Sequence, residues 1–237
     1  MMSFSSRVEF EKLAVNCENF LVGRHIGFIF PTTMRSPPLS VDPLRSSPYW
    51  ERLKDFAFFI LILWIIEAVD QFLLGSTLEN HGIHPRSFSH LEGFLFAPFL
   101  HAGWAHLFGN SASLLVLGAA ILAFGWRDLA TVSIAATIGG GLVAWTIGTS
   151  ESNHIGASSL VFGYLAFLLA LGFYRRTPAT ILFSLLVIFF YGGAFFGILP
   201  GKEGISWESH LGGAIGGFLV ARSKRKKLAS HSDFAAR

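Results

Sequence analysis

The stretch "NHIGASSLVFGY", residues 153–164, sets two hydroxyls, Ser158 and Ser159, side by side among glycine, alanine and large apolar residues. A histidine, His210, opens the distant run "HLGGAIGG", and "HLFGN" holds His106 and Asn110 four residues apart. On a helix that last spacing puts both side chains on one face. A serine within reach of a histidine is a nucleophile with its base. Each feature also has a plainer use. "GASS" suits close helix packing, His106 with Asn110 suits an interhelical hydrogen bond, and His210 alone decides nothing. The chemistry therefore depends on whether the chain brings these residues to one place.

The elements that must do so are apolar and long. The chain has 237 residues, of which 52% are hydrophobic and 14% charged, with a mean hydropathy of +0.53. A water-soluble domain of this size needs more charged surface. Six apolar segments of about membrane length follow one another, near Phe56–Leu74, Ala105–Phe124, Leu129–Ile147, Ser158–Tyr174, Ala179–Leu199 and Trp207–Ala221. The expected fold is an all-α membrane protein, a bundle of six transmembrane helices. Residues 1–50 read as an extension with a Pro/Ser-rich linker, residues 51–222 as the six-helix domain, and residues 223–237 as a basic tail. The N-terminus carries Glu9, Glu11, Lys12 and Glu18 where a secretory signal would be apolar. A single cysteine, Cys17, excludes an internal disulfide and a cysteine-cluster metal site.

Charge orients the bundle. Arg52, Lys54, Arg127, Arg175, Arg176 and the run from Arg222 to Lys227 fall on the side of both termini, whereas the opposite side holds only Arg86 and Lys202. By the positive-inside rule both termini are cytoplasmic. "RSKRKK" directly abuts a span, which argues against a nucleic-acid patch. With this topology His106, Asn110, Ser158 and His210 all lie near the outer ends of the second, fourth and sixth spans. Polar residues at such depth are expensive and are usually paired or functional. The fourth span is short, about 25 Å of helix against a core of about 30 Å; on one reading it starts below the membrane surface and the loop before it dips inward, which requires a cavity there. His210, Gly213, Ala214 and Gly217 form one small face that lets helices approach closely.

These residues resemble the motifs of the rhomboid intramembrane serine proteases. Gly156-Ala157-Ser158-Ser159 is similar to the family's Gly-x-Ser-Gly at the start of the fourth span. His210-x-x-Gly213-x-x-x-Gly217 matches the sixth-span motif, and His106-x-x-x-Asn110 the second. "GIHPRSFSHLEGFLFAPFLHAGWAHLFGN" looks like the family's first loop running into its second span, and the likeness covers roughly residues 55–222. One position departs: Ser159 stands where the motif has glycine. It is small enough to keep the helices close and offers a second hydroxyl, but motif register favours Ser158.

The resemblance implies an intramembrane serine endopeptidase in which Ser158 and His210 are catalytic. His106, Asn110 and the Ser158 backbone N–H would stabilise the oxyanion. No carboxylate, cofactor or metal is expected, and no His-Glu-x-x-His pair occurs. His154 and His101 read as loop residues, Glu208 as interfacial, and Glu67 and Asp70 as structural hydrogen-bonding groups. Substrates would be spans of single-pass or multi-pass membrane proteins, cut near the outer leaflet of a bacterial inner (plasma) membrane, with no nucleic-acid partner. The fifth span and the loop "PGKEGIS" are the expected gate and cap. A catalytically inactive relative that binds client spans is the alternative. A small-solute transporter would more naturally show repeated halves, which are absent from the sequence.

Overall fold

The structure, a computed structural model, describes residues 49–201 and 204–235, with side chains described as far as residue 225. The 1–50 extension thus lies outside the described residues except for Tyr49 and Trp50, which already open the first helix. Lys202, one of the two outer-side cations, also lies outside them.

Six long helices carry the described chain. They are α1 Tyr49–Val69, α2 Trp104–Leu122, α3 Trp126–Ile147, α4 Ser158–Arg175, α5 Pro178–Tyr191 and α6 Trp207–Ala235. The first continues through a wider π-type turn, Asp70–Leu74, and stops at Gly75, whose left-handed φ of 61° ends the helix. Pro178 and a Thr177–Thr180 capping box start α5, which passes into a 3₁₀ segment, Gly192–Ile198. The long connection from α1 to α2 folds into short turns at Leu78–His81, Phe88–His90, Gly93–Phe96 and Ala97–Phe99.

Helix α4 is the centre of the bundle. Thirteen of its 18 residues are buried, and α2, α3, α5 and α6 pack around it. A helix apolar on every side must be covered on every side. Helix α5 is the opposite case, with only Thr180 and Val187 buried among its 14 residues. Its Leu182, Leu185, Ile188, Phe189 and Phe190 face outward, as do Phe58, Leu61 and Ile65 of α1 and Ile134 and Leu142 of α3. Apolar side chains exposed at this density belong against lipid.

Backbone contact explains how α6 reaches the centre. A β-carbon at Gly213 or Gly217 would collide with the Ser159 or Gly163 carbonyl of α4. One at Gly212 or Gly216 would collide with the Gly139 or Ala135 carbonyl of α3. The expected face of small residues is therefore doubled, and α6 wedges between α3 and α4. Asp128, in the first turn of α3, pairs with Lys224 near the far end of this wedge.

Among the described residues, five stretches are long and apolar enough to cross a membrane: Tyr49–Leu74, Trp104–Leu122, Trp126–Ile147, Ser158–Arg175 and Pro178–Ile198. The described residues form an all-helical integral membrane protein. Helix α6 stands where the sixth span was expected but is not among the five. Its apolar part, Trp207–Ala221, gives roughly 22 Å of helix at 1.5 Å per residue before Arg222. The helix then continues to Ala235 through what the sequence suggested was a tail.

Candidate active site

Ser158 is the first residue of α4, and the loop that delivers it is tied down along its length. Ile83 and His154 exchange two backbone hydrogen bonds of 3.0 Å. The Gly156 N–H donates to the Ala97 carbonyl at 2.8 Å, and the Ala157 N–H to His101 Nε2 at 3.4 Å. The Arg86 guanidinium donates to the Thr146 and Gly148 carbonyls and to Ser150 Oγ, at 3.1, 2.7 and 2.7 Å. The first long loop thus serves as a mould for the loop ahead of the serine. Such anchoring is what irregular backbone within a membrane requires.

The Ser158 hydroxyl donates to His210 Nε2 at 2.9 Å across 52 residues of sequence. On the other side of the ring, Nδ1–H donates to the Gly197 carbonyl at 2.9 Å. A carbonyl can only accept, so the proton sits on Nδ1 and the lone pair on Nε2. That is the tautomer a general base needs. Phe162 stacks on the imidazole with centroids 4.1 Å apart and planes 13° apart. The ring is therefore held on both edges and one face.

His106 and Asn110 lie beside the turn that leads into Ser158. Gly156 has φ +112°, and a β-carbon there would stand 2.6 Å from His106 Cε1, 2.7 Å from Nε2 and 3.3 Å from Asn110 Nδ2. Only glycine fits this conformation and this closeness. The Ala102 N–H donates to His106 Nδ1 at 3.4 Å, leaving the ring proton on Nε2, the nitrogen nearest the turn. Asn110 is buried, and its Nδ2 has no partner among the described residues. Two N–H donors thus converge on one turn. The first amides of α4 add their own unsatisfied donors.

Ser159 looks away from this site. A β-carbon on Gly140 of α3 would be 2.6 Å from Ser159 Cβ, so the side chain is pressed against α3. It lines a cavity of about 10 Å³ with Ser209 and His154. His154 is a buried loop residue, hydrogen-bonded to Ser152 at 2.8 Å, and burial lowers its pKa. Asp70 is a structural acceptor, as expected: its Oδ1 receives the Leu78 N–H at 2.9 Å. Glu67 is buried. Glu208, expected at the interface, is only 5% exposed and borders a cleft of about 460 Å³ lined also by Thr149, Ser152, His154, Gly204 and Trp207.

Two neighbours, Phe162 and Gly197, escaped the sequence reading, and His101, read there as a loop residue, does lie in the loop before α2. His101 is buried and packs edge-on to His106 at 5.2 Å; burial, followed by the His106 ring, lowers its pKa to about 4. Phe162 lies four residues after Ser158 and so shares its helix face, a signal present in the spacing. Gly197 acts through its carbonyl, which no side-chain pattern reveals.

A hydrogen-bonded serine–histidine pair at the first turns of two packed helices thus lies within an integral membrane protein. A family model, the rhomboid domain, matches residues 88–227. Two similar proteins, one from Mycobacterium tuberculosis and one from Mycobacterium bovis, both uncharacterized, are 42% identical over 171 residues, covering 69% of this chain and 71% of theirs. Rhomboid-like protease 5 of Toxoplasma gondii is 30% identical over 140 residues, which is 56% of this chain but 16% of that one. The chain belongs to the rhomboid family.

Proposed function

We propose that this protein is an intramembrane serine endopeptidase that hydrolyses peptide bonds in the membrane-spanning segments of other proteins. The observation that carries this is the Ser158–His210 hydrogen bond with the histidine proton fixed on Nδ1. An inactive client-binding protein would have no use for a nucleophile joined to a correctly tautomerised base. Family membership supports the reading, as does the name of the Toxoplasma relative.

In this reading His210 Nε2 takes the Ser158 proton as Oγ attacks the scissile carbonyl. The negative charge that develops on the carbonyl oxygen is met by His106 Nε2–H, an Asn110 Nδ2–H and the Ser158 N–H. The imidazolium then returns the proton to the leaving amine, which departs and leaves an acyl-serine. Water, deprotonated by the same nitrogen, attacks this ester and frees the acid and Ser158. No third carboxylate takes part; the Gly197 carbonyl holds the ring.

We also read α6 as the sixth span, with its short apolar stretch accounted for by His210 sitting below the outer surface. Both termini are then cytoplasmic, and the residues 51–222 form the protease domain with basic residues after it. The location is a bacterial inner membrane, in keeping with the mycobacterial relatives. The substrate would present small or helix-breaking residues near its outer end, because an intact helix shields its own peptide bonds.

The test is incubation of purified protein in detergent with a generic single-span substrate, alongside a fluorophosphonate probe. Cleavage, with labelling at Ser158 that is lost in Ser158→Ala, is expected. Binding of the span without cleavage or labelling would establish the inactive alternative.

A further inference from the structure

We infer that Gly197 is a positioning residue that couples the dyad to the seating of the segment after α5. The inference rests on the proposed Ser158–His210 chemistry. Its basis is an asymmetry in how the two ends of one hydrogen bond are held. His210 stands on α6, whose glycines are locked by backbone contact against α3 and α4. Its acceptor stands on the 3₁₀ segment Gly192–Ile198, which contains no buried residue and follows a helix with only two. The donor belongs to a helix locked by backbone contact on two sides, and the acceptor to a segment with no buried residue. Local stability is not uniform, and loosely packed elements move first.

Two close contacts make the seating precise. A β-carbon at Gly197 would stand 2.9 Å from Phe162 Cζ and 3.4 Å from His210 Nδ1. Glycine is what allows this carbonyl to reach a ring already stacked on Phe162. When the segment is seated, Nδ1 carries the proton and Nε2 is free to accept from Ser158. When the segment lifts, Nδ1–H loses its acceptor. The neutral ring can then hold its proton on Nε2, and in that form it cannot receive the serine proton. Access between α5 and its neighbours is thereby linked to competence: the site is armed only when the segment is back in place. A side-chain orienter, such as the aspartate of serine proteases on other folds, makes no such link.

The experiment compares Gly197→Ala with Gly193→Ala, where an added β-carbon meets nothing within 4 Å. Each full-length protein is purified in detergent with isotope-labelled histidine. The His210 imidazole nitrogens, assigned by their loss in His210→Gln, report the tautomer; fluorophosphonate labelling and substrate turnover report the dyad. Gly197→Ala should convert part of the Nδ1–H signal to Nε2–H and slow labelling and kcat by roughly 10–100-fold with little change in KM, as loss of an orienting partner does elsewhere. Gly193→Ala should match wild type in all three. Should Gly197→Ala not fold, replacing Ile198 by its α-hydroxy analogue turns the Gly197 carbonyl into a weaker ester acceptor without adding bulk, and the same changes are expected. Unchanged tautomer signals in the weakened-acceptor protein, or slowed labelling with the tautomer intact, would overturn the inference. Absence of labelling in wild type would instead defeat the serine-protease reading beneath it.

Discussion

Ser158 and Ser159 are neighbours with different surroundings, and that difference sets the first expectations. Ser158 meets His210; Ser159 is pressed against Gly140. Ser158→Ala should abolish cleavage and probe labelling while leaving the melting temperature nearly unchanged, since only one hydroxyl is lost. Ser159→Ala should retain most activity. The reverse pattern in a side-by-side assay would move the nucleophile by one residue. His210→Ala should be as inactive as Ser158→Ala, and the double variant no worse, because members of one catalytic unit are strongly non-additive. His106→Ala and Asn110→Ala should lower kcat rather than raise KM, each by roughly 10²–10³-fold, about 3–4 kcal/mol. Steady-state kinetics with thermal melting beside them is the check. Variants that melt far lower yet keep wild-type kcat would reduce the two residues to a structural pair.

At the scale of elements, the wedge of α6 predicts where bulk is forbidden. In Gly213→Val the new side chain meets the Ser159 backbone, which cannot rotate away. Overpacking of this kind costs about 1–3 kcal/mol and should also part Ser158 from His210. A lowered melting temperature together with lost labelling is expected; full activity would mean that α6 is not held as described. The loops make a different prediction, in pH. Burial holds His101 and His154 below the ordinary histidine pKa, His101 at about 4. The unfolded chain then binds protons that the folded one does not, so stability is complete above about pH 6.5 and falls as pH drops from there toward 4. For His101 the loss is on the order of 3 kcal/mol. Melting measured across that window should fall, and His154→Gln should flatten part of the slope. The sequence carried much of this scale. Apolar runs marked the helices, and His210, Gly213 and Gly217 shared an evident face. The second glycine row, Gly212 and Gly216, stood in the same eight letters but serves α3, and helix spacing alone does not say which neighbour a row will meet. The mould formed by Ile83, Arg86 and Ala97 was illegible for a firmer reason: Ile83 and Ala97 act through backbone groups common to every residue type, and the Arg86 guanidinium reaches mainly backbone carbonyls.

For the whole molecule, the proposed six-span topology is open to a direct test through the chain's own single cysteine, Cys17. In intact cells a membrane-impermeant maleimide should leave it unlabelled and a permeant one should label it; labelling by the impermeant reagent would invert the bundle. The wedge of α6 has a further meaning when the chain is followed in time. A ribosome delivers α4, with its serine, well before α6, with its histidine. Through that interval the nascent chain shares the membrane with other spans that are themselves unpacked and easily cut. Ser158 then has a hydroxyl but no base, and the space between α3 and α4 is still waiting for four glycines. In the proposed mechanism α4 stays inactive until α6, made after it, brings the base. A chain halted before Trp207 should therefore insert into the membrane and stay silent toward fluorophosphonate, harmless until it is finished.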